Sequence, residues 1–438
     1  MRLSSILGGL GAGAAALAAC GAVQSQPSPA SIDARIAAVL PRVVAWRRDI
    51  HAHPELGNQE VRTSGIVAEE LKRLGLEVRT GVAHTGVVGV LRGSRPGAVI
   101  ALRADMDALP VEEKTGLPFA SKVTAEYNGR TTPVAHACGH DSHTAMLLGA
   151  ANVLAGMKDQ IAGTVVFIFQ PAEEGSPAGQ TGGAPLMVEE GAFRSPKPDA
   201  FFGLHVVPGP VGHIMTRKGP FFAGSDTLDI KLKGRGTHGA EPWNGVDLVN
   251  LSAAIVQSLN VIAARQVDVT ETPTVVTIGS LQAGVRFNVI PDDASLAGTV
   301  RTFSAARRTD VKARIDRTVK DLADSYGAVA DITWSGGNLP VVNDGALLQD
   351  IGPGLTAAAG KAGAELDSKW VTTAEDFSAY AGVAPVLYVR IGSTPNFTDY
   401  ASAPTNHSPR FTIDEAVLPY GVKAHVLAAT TYLAAHKR

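Results

Sequence analysis

The chain has 438 residues, 45% hydrophobic and 18% charged, which fits a globular protein of two or three domains and excludes general disorder. Its 39 Lys and Arg balance 41 Asp and Glu to a net charge of -2, which argues against nucleic-acid binding through a basic surface. Cores of this size need no disulfide staples, and 47 glycines with only 5% aromatics point to many turns around Ala, Val, Leu and Ile.

The N-terminus reads as a sorting signal. Arg2 precedes an uncharged Ala/Gly/Leu-rich run, residues 3–19, too short and too glycine-rich for a comfortable membrane span. The run ends in Leu17-Ala18-Ala19-Cys20, which resembles a bacterial lipoprotein signal; that resemblance implies cleavage before Cys20 and lipidation of its thiol. A polar Pro/Ser-containing tether follows to residue 30. The protein is therefore expected to be exported and anchored to a bacterial membrane, facing the periplasm or the exterior. A plain secretory peptide is the alternative. With Cys20 so used, Cys138 is the lone thiol of the folded body.

Ser31-Ile32-Asp33 opens a helix whose apolar positions Ile36, Val39, Leu40, Val43 and Val44 have helical spacing, with a kink or break expected at Pro41. A second helix is predicted over 62–74, stopping at Gly75. Residues 98–103, 164–170 and 200–205 are short apolar runs of the kind that form strands buried on both faces, and 144–157 reads as a helix between them. This pattern predicts an α/β layer around a largely parallel sheet, with reactive groups beyond the strands' carboxyl ends. Asp105, Glu173, Glu174 and His205 fall there.

The pattern changes between about 219 and 335. Residues 227–233, 274–278 and 295–302 alternate with period two, and helical stretches cover 246–265 and 305–326. These predict an independent α+β insert. A buried strand at 385–391 and a helix from 413 to about 435 return to the first pattern. The expected organisation is a signal and tether at 1–30, a first domain split into 31–218 and 336–438, and an insert at 219–335.

The sequence contains no G-x-S-x-G elbow, H-E-x-x-H, P-loop or G-x-G-x-x-G, so the enzyme classes built on them lose support. Metal-type ligands remain. His136, Cys138, His140, Asp141 and His143 crowd into eight positions, with Gly139 allowing a tight turn. Glu173 and Glu174 follow an apolar strand, where one carboxylate can hold metal and the other accept a proton. His205 ends a strand and His407 lies on a loop; a lone histidine at the first is more often a satisfied core residue than a ligand, and the second has the same ambiguity. Asp105 and Asp107, after Arg103, offer carboxylates to orient ligand imidazoles.

Together these segments resemble the M20 metallopeptidase/amidohydrolase family, in the branch of hippurate hydrolases, N-acyl-amino-acid amidohydrolases and plant auxin-conjugate hydrolases. The resemblance rests on RDIHAHPELG at 48–57, RADMDALP at 103–110, HACGHD at 136–141, QPAEEG at 170–175, GLH at 203–205 and NH at 406–407, and so spans nearly the whole mature chain. It implies a zinc-peptidase-like catalytic domain with a central mixed, largely parallel sheet flanked by helices, plus an inserted α+β lid or dimerisation domain.

Residue by residue, the resemblance makes Cys138, His140, Glu174, His205 and His407 ligands of two divalent metal ions, and Glu173 the general base. Zn suits this donor set best, with Mn, Co or Ni as alternatives. Arg103 falls where the wider family often has a metal-binding histidine. Asp105 and Asp141 are expected to support the ligands from behind. His238 matches a histidine that steadies the substrate carbonyl oxygen, often across a dimer, and Asn288 matches a substrate contact. The implied reaction is hydrolysis of an N-acyl amino acid or short peptide, with a homodimer through the lid as a possible assembly. Arg286, Arg301 and Arg390 are candidates for the substrate carboxylate, with Arg301 taken first. A dipeptidase or carboxypeptidase of the same family, and a non-catalytic periplasmic metal- or ligand-binding lipoprotein, are the competing readings.

Overall fold

A computed structural model describes residues 29–394 and 399–437. The expected signal peptide and Cys20 lie outside them. Two helices begin the body, α1 (Pro29–Ala52) and α2 (Val61–Arg73). The main-sheet strands β1 (Glu77–Val82), β2 (Gly86–Arg92) and β3 (Arg95–Asp105) follow. Then come α3 (His140–Ala155), β4 (Ala162–Gln170), α4 (Gly183–Glu189), β5 (Ala200–Pro210) and the short β6 (Ile214–Met215).

An insert contributes β7 (Gly224–Lys233), α5 (Leu248–Val261), β8 (Val275–Ala283), β9 (Asp293–Thr302), α6 (Ala305–Ser325) and β10 (Val329–Asn338). The chain then returns through α7 (Gly345–Ala359), β11 (Ala364–Glu365), β12 (Val386–Thr394) and α8 (Leu418–Ala435).

The main sheet runs β1-β2-β4-β3-β5-β12-β6-β11. Its centre, β4-β3-β5-β12, is parallel, and β1, β2 and β6 pair antiparallel with their inner neighbours. Both faces are covered, which is why these strands read as unbroken apolar runs. In β4, Val165, Phe167 and Phe169 enter one core cluster, whereas Val166 and Ile168 enter another on the opposite face. Helices α1, α3, α7 and α8 cover the first face.

The insert is a separate four-stranded antiparallel sheet, β8-β9-β7-β10. Leu228, Ile230 and Leu232 of β7 alternate inward to meet Leu251 and Ile255 of α5 and Val311 and Ile315 of α6. The fold is thus the expected mixed, largely parallel sheet with helices, plus an α+β unit carried between its parts.

Local departures from the sequence reading have physical causes. Helix α1 passes unbroken through Pro41, which lies on its exposed face, where water can serve the carbonyl the proline cannot reach. Helix α3 starts at His140, four residues before the predicted start, because its first turn is polar but buried. Strand β10 was not anticipated. No residue in it is fully buried, so its apolar alternation is faint. Helix α7 and strands β1 and β2 were likewise not anticipated.

Candidate metal centre

The parallel strands deliver the ligating side chains to one end of the sheet. Asp105 ends β3, Glu173 and Glu174 occupy the turn after β4, and His205 sits within β5. Between Cys138 and the start of α3, Gly139 has φ +97°, and a Cβ there would fall 2.4 Å from Val206 Cγ2. Only glycine lets the backbone press so close to β5 while Cys138 and His140 both face the cavity. His407 arrives on a distant loop with φ +70°, its amide donating to the Ala137 carbonyl at 2.7 Å. Ala172, just before the glutamate pair, also has a positive φ of 51°. Two non-glycine residues held in this region mark a place where side-chain direction is fixed against local preference.

Cys138 Sγ lies 3.3 Å from His205 Nε2. His140 Nε2 lies 3.9 Å from Glu174 Oε1 and 4.0 Å from Glu173 Oε2. Glu174 Oε1 is 2.9 Å from His407 Nε2. The donor atoms of Cys138, His140 and His205 all lie within 4.8 Å of one another, and so do those of Cys138, Glu174 and His407. Cys138 belongs to both groups.

These residues fit divalent cations. His140 Nε2 and Glu174 Oε1 are buried with no hydrogen-bond partner, an arrangement that is costly unless something else occupies their lone pairs. Burial, reinforced by Glu174 and Glu173, pushes the Cys138 thiol well above its ordinary pKa. Burial, with His143 beside it, holds His205 well below its own. A cation would reverse the first shift and favour the neutral imidazole, matching what a thiolate–imidazole–carboxylate set needs.

The sequence pattern of Peptidase family M20/M25/M40 matches residues 101–431. The chain belongs to this family. It is 40% identical over 393 residues to thermostable carboxypeptidase 1 of Saccharolobus solfataricus, covering 89% of this chain and 95% of that protein. It is 38% identical over 384 residues to an N-acetylcysteine deacetylase of Bacillus subtilis, covering 86% and 93%. Among solved structures it resembles a Bacillus subtilis dinuclear metal binding peptidase from the M20 family, with TM-score 0.74 and 34% identity over 91% of this chain and 99% of that one. The protein is an M20 hydrolase acting on amide or peptide bonds.

Asp107 is the M20 centre's internal brace. Its backbone carbonyl accepts from His140 Nδ1 at 2.9 Å, and its Oδ2 accepts from the Glu174 amide at 2.8 Å. One residue thereby orients two donors. Glu60, fully buried, accepts from the Ala172 amide at 2.8 Å and from Thr85 Oγ1 at 2.5 Å, which secures the strained turn before Glu173. Burial and then the Asp107 charge push its carboxyl up to about 8.

Arg103, where the wider family often has a ligating histidine, is fully buried among carboxylates. It donates to Asp105 at 2.5 Å, Glu375 at 2.9 Å and Asp376 at 3.2 Å. Carboxylate oxygens of Glu173, Glu375 and Asp376 lie within 4.8 Å of one another. Burial and then the Glu375 charge hold the Glu173 carboxyl well above its ordinary range. Sequence reading missed Glu60, Glu375 and Asp376. An arginine inside an apolar strand signals that buried carboxylates exist, but not where in the chain they are.

The remaining expected residues divide. Asp105 accepts from His143 Nδ1 at 2.6 Å and stands 3.8 Å from His140 Nε2. His143 also accepts from the Val206 amide at 2.9 Å, so both its nitrogens are committed to the protein. Asp141 does not touch His140. It binds Arg47 and His51 of α1, each at 2.9 Å, because successive residues on a helical turn point about 100° apart.

Arg301 and Arg390 line the same cavity as the donor cluster, about 500 Å³ in volume. Arg286 is exposed on the insert and lies outside it. His238 and Asn288 also lie outside it. His238 is exposed, accepts from the Ala240 amide at 3.0 Å, and pairs in a short strand with Val289, next to Asn288.

Proposed function

We propose that this M20 hydrolase cleaves the amide bond of N-acyl amino acids, releasing an acid and a free amino acid. The observation that carries this reading is the position of Glu173 beside the donor cluster, in a cavity that also receives the guanidinium groups of Arg301 and Arg390. A deacetylase of N-acetylcysteine and a carboxypeptidase among the relatives support it, since both names describe release of an amino acid from an amide. The C-terminal amide of a short peptide is the same bond.

In this reading Cys138, His140, Glu174, His205 and His407 hold two divalent cations, Zn by preference of the donor set, with Mn, Co or Ni possible occupants. Bound there, such ions supply positive charge that polarises a carbonyl and makes water more acidic. Glu173 takes a proton from the attacking water as the new C–O bond forms. It returns that proton to the amide nitrogen as the C–N bond breaks. Its raised proton affinity suits it to hold the proton between those steps. Arg301 takes the carboxylate of the amino-acid part. A carbonyl-steadying role for His238 requires a second copy of the chain or movement of the insert. A homodimer through the insert is part of this proposal, supported by the edge position of β8 and by exposed Val285 and Phe287 close to Asn288.

The test is amine release from N-acetyl and N-benzoyl amino acids and from dipeptides, with added Zn, Mn or Co. Hydrolysis of the N-acyl compounds that is lost with a chelator and restored by metal is expected. A strong preference for dipeptides with a free amino terminus would replace this reading with a dipeptidase. Export and lipid anchoring through Cys20 are also proposed, from the sequence; Cys20→Ala is expected to move the protein from the membrane fraction to the soluble one.

A further inference from the structure

We infer that the substrate carries two anionic groups, one bound by Arg301 and the second by Arg390. The inference rests on the N-acyl amino acid reading and narrows its substrate class. Arg390 lies on β12 directly beside His205 of β5, in a parallel register where neighbouring side chains leave the sheet on the same face. Its guanidinium therefore rises from the wall that bears a metal-site histidine. Arg301 comes from β9 of the insert. The two reach one cavity of about 500 Å³, room for a small ligand.

Neither arginine has a hydrogen bond or ion pair among the described residues, and Arg390 Nε is buried without a partner. The contrast within this chain is sharp. Arg103 is fully buried and meets three carboxylates, and Arg47, also buried, meets Asp141 and Glu415. Among the described residues, each buried arginine, Arg47, Arg103 and Arg307, meets at least one carboxylate, whereas half-buried Arg301 and Arg390 meet none. Burial lowers the pKa of each group. A guanidinium does not escape by losing its proton, so each stays a charge awaiting a partner.

Desolvated, unpaired charge is costly, and a ligand that brings one carboxylate would leave one of the two arginines uncompensated. Two carboxylates satisfy both. The second can belong to the amino-acid side chain, as in an N-acyl aspartate or glutamate, or to a dicarboxylic acyl group. The shared chemistry is a dianionic amide.

The experiment compares matched pairs on the metal-loaded full chain. N-acetylglutamate against N-acetylglutamine tests the side-chain source; N-succinylalanine against its singly charged succinamoyl counterpart tests the acyl source. In one pair the dianion is expected to show at least about tenfold higher kcat/KM, mainly through KM, since a charge-assisted hydrogen bond contributes about 1.5–3 kcal/mol. Arg390→Met should erase that preference, and Arg390→Lys should restore part of it. The same four compounds titrated calorimetrically into metal-loaded Glu173→Gln should show the same preference in Kd without turnover. Parity within both pairs, in hydrolysis and in binding, overturns the second anionic site alone. No hydrolysis and no binding of any of the four overturns the N-acyl amino acid reading beneath it.

Discussion

Glu174 Oε1 and His407 Nε2 stand 2.9 Å apart, yet that carboxylate oxygen is buried and accepts no aligned hydrogen bond. Two metal-type donor atoms this close, in a poorly aligned contact, are a poor arrangement for a protein alone and a good one for a pair of ligands. His407→Ala or Glu174→Gln is therefore expected to lower bound metal by about one ion per chain, while the Cys138, His140 and His205 group keeps the other. Elemental analysis after gel filtration measures this. Undiminished metal in both variants would remove the pair from coordination.

Glu173 lies 4.0 Å from His140 Nε2, with carboxylate oxygens of Glu375 and Asp376 as well as Glu174 within 4.8 Å of its own. This position suits proton transfer better than ligation. Glu173→Gln keeps the shape and loses the base, so kcat should fall by about 10²–10⁴-fold at unchanged metal content. Loss of metal in parallel with activity would make Glu173 a ligand instead.

Arg103 ion-pairs with three buried carboxylates that surround it, Asp105, Glu375 and Asp376. Replacing it with Met keeps much of the volume and strands the acids. Such a break costs about 3–5 kcal/mol in a buried network. Urea unfolding of Arg103→Met should show a loss of that order, smaller at low pH, where the acids can protonate. A loss below about 1 kcal/mol at neutral pH would mean that the carboxylates are already neutral there.

Much of this was legible in the sequence because the signals were local. Apolar runs on both sheet faces announced β3, β4 and β5, and the strand-end rule drew attention to Asp105, Glu173, Glu174 and His205. Cys138 and His140 announced themselves by spacing. What resisted was tertiary. Nothing near Arg103 in sequence points to residues 375 and 376, and nothing near Asp141 reveals that its helical turn faces α1. Glu60 fixes Ala172 across a gap that no periodicity spans. The resemblance to a family named His238, but its position outside the cavity depends on how the insert sits, which no motif encodes.

His51 offers a pH test away from the metal donors. Burial alone would depress its pKa, but Asp141 at 2.9 Å and Glu113 at 3.0 Å on its two nitrogens raise it from 6.5 to about 9. The folded state thus binds the proton more tightly than the unfolded one. The stabilisation is fully present below the unfolded pKa and is lost as pH rises through the folded one. A shift of this size corresponds to ~3 kcal/mol. His51→Gln keeps a polar group without the titration. Between pH 6 and 9.5 the unfolding free energy of the natural chain should decline relative to that of His51→Gln by about that amount, as read from urea titrations at several pH values. A constant difference across this window would show that His51 is neutral in the folded protein and that its two carboxylate contacts are held by other charges.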